Sequence, residues 1–237
     1  MKHHAQRSYV LIHGGWHGGW VWRDVIAGLR VRGHTASAPT LSGLGERRHV
    51  GRDADLETHI TDVLNHIEME GLTDITLVGW SYGGMVTTGV LARIPDKIRA
   101  VIYLDAFVPQ DGKALVDYLA SETLAIWAPF KDANSALPPL PFARLGLTDP
   151  ALIERVAPRL VEQPWRTVYQ PVKALAQWPD IPVAYIRCTA NTASHFDAFM
   201  EKMKKDPKVQ TDVVDTGHSC MLTELDKTID LLDKYGG

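Results

Sequence analysis

The chain has 237 residues, 45% of them hydrophobic, and carries 25 basic against 28 acidic side chains for a formal net charge of −3. That is ample apolar material for one large core, and the near balance of charge leaves no electrostatic footprint for nucleic acid or an anionic membrane surface, so a small neutral partner is expected. Its two cysteines, Cys188 and Cys220, lack paired spacing, which argues against a disulfide framework or a zinc site and for a reducing cytoplasm.

In chain order, residues 1–7 lead straight into an apolar run at 9–12 that His13-Gly14-Gly15 interrupts, too short and too soon broken for a signal segment. No later stretch approaches a membrane span. Further runs with the look of fully buried strands occupy 35–38, 75–78, 100–104, 183–188 and 209–214. Helical periodicity fills most gaps between them, at 20–32, 56–69, 85–93, 196–205 and 222–234. Such alternation predicts an α/β fold, a mostly parallel, doubly wound sheet of about six strands with helices on both faces. Between about 109 and 179 it breaks. No strand is evident there, while Trp127, Phe130, Trp165, Trp178 and many prolines crowd together, which predicts a helical cap (109–179) inserted into a core of 1–108 and 180–237. Any one of these aromatics more often packs within the cap itself, but as a group they point to an apolar substrate chamber bordered by Trp127, Phe130 and Trp165.

Three segments carry chemistry. Gly79-Trp80-Ser81-Tyr82-Gly83 spells G-x-S-x-G directly after the run at 75–78, the sequence form of a nucleophile elbow, in which small flanking residues let a serine sit at a strained strand-to-helix turn. Ser81 is therefore the candidate nucleophile. A serine hydroxyl needs a base, and the base needs an orienting acid. Of ten histidines, His218 alone follows the last strand-like run, in Asp215-Thr216-Gly217-His218, where the chain order Ser, acid, His places the base. The oxyanion needs two N–H donors, and the residue after the nucleophile, Tyr82, supplies one. The second is expected from His13-Gly14-Gly15-Trp16-His17-Gly18-Gly19-Trp20, whose glycines let the backbone turn close to a ligand. Gly15 is preferred, with Trp16 as the alternative donor and a substrate-binding candidate. Neither G-x-G-x-x-G nor a Walker lysine is present, so a phosphate loop is disfavoured, and His13 and His17 read as braces of the loop.

These motifs, with Thr216-Gly217-His218, identify the chain as similar to the α/β-hydrolases, in the branch of small esterases and hydroxynitrile lyases that includes plant methylesterases. The resemblance implies an α/β-hydrolase fold, with Gly15 and Tyr82 matching the family's oxyanion donors. One departure stands out. The family commonly places its acid after the penultimate strand, but Arg187-Cys188-Thr189-Ala190-Asn191-Thr192-Ala193-Ser194 holds no carboxylate, and Asp197, three residues after Ser194, fits a helix start instead. By elimination the acid is expected at Asp105, which ends the run at 101–104.

The expected activity is that of a serine hydrolase cleaving a carboxylic ester of a small hydrophobic substrate through an acyl-enzyme, with no cofactor and no metal. A cyanohydrin lyase is the second reading. Lyases of this branch resemble one another in a Thr after the first motif His and a Lys after the catalytic His, where this chain has Gly14 and Ser219. A non-catalytic small-ligand receptor is the third. A homodimer is left open.

Overall fold

The computed structural model describes residues 6–237; the first five residues, part of the stretch 1–7 considered above, lie outside the described range. Six strands, β1 (Ser8–Ile12), β2 (Thr35–Ser37), β3 (Ile75–Trp80), β4 (Ile98–Leu104), β5 (Val183–Cys188) and β6 (Val209–Val214), form one sheet in the order β2-β1-β3-β4-β5-β6. Every neighbouring pair is parallel. Side chains alternate across it with period two, so Val10 and Ile12 join one apolar cluster while Tyr9 and Leu11 join the other.

One face is covered by α1 (Arg23–Val31) and α9 (Leu225–Tyr235), whose Val25, Leu29, Ile229 and Leu232 pack on the second cluster. The opposite face receives α2 (Leu56–Met69), α3 (Gly83–Arg93) and α7 (Ser194–Lys204) through Ile60, Met85, Val86, Phe199 and Met203. At the start of α2, Asp55 accepts from the Thr58 N–H at 2.8 Å in a capping box, which satisfies an amide that has no partner within the helix.

Two strands differ from the expectation of full burial. Of β6 only Val209 and Val214 are buried, and β2 buries only Ala36, because both lie at sheet edges where one flank meets no neighbour. The chain between β4 and β5, which includes residues 109–179, holds α4 (Ser121–Asp132), α5 (Pro150–Val156) and α6 (Arg166–Tyr169), with 3₁₀ turns and one antiparallel bridge between Leu137 and Gln163. Leu145, Leu147, Leu152 and Val156 make a small cluster of their own, whereas Leu115, Trp127, Leu137, Val168 and Val172 share the cluster of the α2–α3 face. A short α8 (Cys220–Thr223) precedes α9. No helix among the described residues is long and apolar enough to cross a membrane.

Candidate active site

Strand β3 runs two residues further than its apolar stretch predicts, because Gly79 and Trp80 still pair with Tyr103 and Leu104 of β4. Ser81 then turns at φ 56°, in the left-handed region a side chain rarely adopts, and α3 begins two residues later. Crowding explains the flanking glycines. A Cβ on Gly79 would lie 2.3 Å from Thr87 Oγ1, and one on Gly83 would lie 2.6 Å from the Ile12 carbonyl oxygen.

Parallel strands bring their carboxyl ends to one sheet edge, and there three of the sequence candidates meet. Ser81 Oγ lies 2.8 Å from His218 Nε2, and His218 Nδ1 lies 2.7 Å from Asp105 Oδ2. Asp105, fully buried at φ 43°, has both oxygens engaged: Oδ1 accepts from Arg187 at 2.8 Å and from the Cys188 N–H at 3.1 Å, while Oδ2 also accepts from Asn191 Nδ2 at 2.6 Å. Burial works against its charge, yet the hydrogen bond and charge of His218, with Arg187 and Asn191, hold the carboxyl below the ordinary carboxylate range. The Asn191 orientation is fixed because its Oδ1 accepts from the Ala193 N–H at 3.2 Å. Its amide nitrogen thus serves Asp105, and the His218 Nδ1–H, 3.1 Å away, is left to the same carboxylate.

The imidazole of His218 lies between two rings, tilted against Trp80 at 5.2 Å and stacked on Phe196 at 5.1 Å, while Trp80 Nε1 donates to the His218 carbonyl at 2.9 Å. Trp80, Phe196 and Arg187 were not singled out from the sequence. The position of Trp80 inside the pentapeptide was the one available signal. Asp197 stands apart from His218. Its side chain is 65% exposed and accepts from Arg187 Nε at 2.9 Å; Asp197 stands in the first turn of α7, as expected of a helix start, but α7 begins without a side-chain cap.

The glycine-rich loop is braced as expected for its histidines. His13 Nδ1 donates to the Gly14 carbonyl at 2.8 Å and His17 Nδ1 to the Gly15 carbonyl at 2.7 Å. Burial pushes the first down to about 3 and the second to about 4, so both rings are neutral. His59, likewise lowered by burial to about 4, accepts from the Tyr82 hydroxyl at 2.8 Å. The Trp16 N–H is taken by Gln163 Oε1 at 3.0 Å, which removes Trp16 as an oxyanion donor; the Gly15 and Tyr82 amides have no protein acceptor among the described residues.

Above this group opens a cavity of about 1140 Å³ reached by Gly15, Ser81, Tyr82 and His218, with Trp16, Trp127, Leu115 and Phe107 among its walls. Phe130 and Trp165 do not line it. Trp165 is held away by a 2.9 Å bond from Nε1 to Asn134 Oδ1 and by Arg166 over its ring, and Phe130 packs half-buried against the edge of the core. Among the described residues no group of three or more His, Cys, Asp or Glu is placed to hold a metal ion, and both cysteines are free and buried.

The sequence pattern of the alpha/beta hydrolase family matches residues 9–231. A carbendazim hydrolyzing esterase of Nocardioides sp. (strain SG-4G) is 56% identical over 113 residues, 47% of this chain and 47% of that protein. Methylesterase 10 of Arabidopsis thaliana is 32% identical over 115 residues, 45% of this chain and 41% of its own length. The matched stretch thus spans about half the length of the curated relatives or less. Among solved structures, an extracellular alpha/beta-hydrolase from a Paenibacillus species superposes with a TM-score of 0.85 at 24% identity, covering 97% of this chain and 99% of that one.

Proposed function

The chain belongs to the alpha/beta hydrolase family, and from that premise we propose that it is a serine hydrolase cleaving a carboxylic ester of a small hydrophobic substrate through an acyl-enzyme. The observation that carries this reading is the unbroken relay of 2.8 and 2.7 Å from Ser81 Oγ through His218 to a buried Asp105, at the base of a largely apolar cavity. His218 Nε2 takes the Ser81 proton as Oγ attacks the ester carbonyl. Asp105 accepts the Nδ1–H, fixes the tautomer that leaves Nε2 free, and stabilises the imidazolium that forms. The Gly15 and Tyr82 N–H groups hold the oxyanion of the tetrahedral intermediate. Collapse expels the alcohol, which takes the proton from His218. A water molecule, activated by the same imidazole, then attacks the acyl carbonyl and releases the acid and free Ser81.

Trp16 and Trp127, whose rings meet edge to face at 6.2 Å, form an aromatic wall for the substrate. Residues 109–179 serve as the lid that closes the cavity over it. The lyase reading is weaker, since Ser219 replaces the lysine of the lyases and spends its hydroxyl on the Leu145 carbonyl at 2.6 Å. Buried free thiols at Cys188 and Cys220 suit a cytoplasmic setting. Steady-state assays across aryl esters, methyl esters and carbendazim, with and without a chelator, test the proposal. Hydrolysis indifferent to chelation and lost in Ser81→Ala with the fold retained is the expected outcome; full turnover in that variant would sink it.

A further inference from the structure

One fully buried polar side chain has no part in the mechanism above. Gln163 sits at the antiparallel bridge with Leu137, between β4 and β5. Its Oε1 accepts the Trp16 N–H at 3.0 Å, and its Nε2 donates to Thr167 Oγ1 at 2.6 Å, whose own proton goes to the Pro164 carbonyl at 2.6 Å. Two further bonds join the same regions: Val161 N donates to the Trp16 carbonyl at 3.0 Å, and Trp16 Nε1 donates to the Leu137 carbonyl at 3.1 Å. All three polar groups of Trp16 are therefore held by residues 137–163 and none by the sheet.

That matters because Trp16 is at φ 64°. A bulky residue stays in the left-handed region only where its surroundings over-determine it. The glycines before it have no Cβ to restrict them, so the direction of the Gly15 N–H depends on what pins the adjoining peptide planes. His13 holds the Gly14 carbonyl, His17 holds the Gly15 carbonyl, and Gln163 holds the N–H at the other end of that last plane. We propose that Gln163 is a positioning residue of the oxyanion hole, acting through the Trp16 amide to aim the Gly15 N–H, so that the hole is completed only when the segment between β4 and β5 is docked. The proposal rests on the hydrolase reading, in which Gly15 is an oxyanion donor. An interaction that matters only once the oxyanion forms affects kcat rather than KM.

Gln163→Met keeps the volume and removes both polar atoms; Gln163→Glu, when protonated, offers the same acceptor and donor. Gln163→Met should lose roughly ten- to hundredfold in kcat with KM changed by less than about twofold. Its affinity for a trifluoromethyl ketone, which adds to Ser81 and places an oxyanion in the hole, should fall by a similar factor, while the carboxylic acid product binds unchanged. Gln163→Glu should recover most of the kcat that the wild type shows at the same mildly acidic pH. Wild-type kcat and ketone affinity in Gln163→Met overturn the proposal, as does a loss confined to KM or one that spares the ketone. If Gln163→Met does not fold, Thr167→Val, which removes the partner orienting the Gln163 amide, decides: unchanged kcat and ketone affinity there overturn it. A wild-type protein that turns over no ester and forms no ketone adduct defeats the hydrolase reading and this proposal together, whereas normal wild-type turnover with indifferent Gln163 variants defeats this proposal alone.

Discussion

At Asp105 a carboxylate is held in a buried site by four donors, one of them the guanidinium of Arg187, whose side chain is itself only 4% exposed. Substituting Asn at this position keeps the shape but presents a neutral group to His218, and Nδ1 then has no carboxylate to stabilise its imidazolium. Asp105→Asn should lower kcat by about ten-thousandfold, the scale of the same change in a serine protease triad. Asp197→Asn should change kcat little and stability by about 1 kcal/mol or less, because the Asp197 carboxylate pairs with Arg187 at the solvent-exposed end. Steady-state kinetics on the two variants side by side gives the ranking, and the reverse order would move the acid to Asp197. Asn191 donates to Asp105 and leaves the imidazole proton of His218 to that same carboxylate.

Between elements, the elbow depends on how closely α3 approaches its neighbours. A Cβ on Gly84 would stand 2.0 Å from the Phe107 carbonyl oxygen, a backbone atom that cannot swing aside. Gly84→Ala should therefore destabilise the fold by on the order of 3 kcal/mol, seen as a lower denaturation midpoint with unchanged slope. Much at this scale was legible in the sequence. The periodicity at 56–69 coincides with α2, and the meeting of Ser81, Asp105 and His218 follows from chain order, since each lies past a parallel strand and all three arrive at one edge. What was not legible depended on direction rather than type. Trp127, Phe130 and Trp165 look alike as aromatics of one region, but only Trp127 turns into the cavity, because Asn134 and Arg166 hold Trp165 on the outside. The grip of Gln163 on Trp16 joins residues 147 positions apart, and no local pattern announces it.

For the molecule as a whole, four imidazoles that burial keeps neutral set its response to acid. His13, His17, His59 and His195 are moved by burial from the ordinary 6.5 to about 3, 4, 4 and 4. Below pH 6.5 the unfolded chain binds protons at these sites and the native protein does not, so their contribution to stability is complete above 6.5 and is lost as the pH falls toward the native values. Each group removes about 1.4 kcal/mol per pH unit across that window. Thermal unfolding midpoints should thus be flat near neutrality and fall steeply between pH 6 and about 4, and a midpoint indifferent to pH over that range would show that these rings are protonated in the native state. The placement of Asp105 has a further consequence, for evolvability. If Asp105, just past β4, is the acid as proposed, the loop after β5 need not carry it, and Thr192, Ala193, Ser194 and His195 line the cavity directly. Saturation libraries at these four positions can search substrate scope while Asn191 and the relay are left untouched, so that the choice of substrate and the power to cleave it are inherited separately.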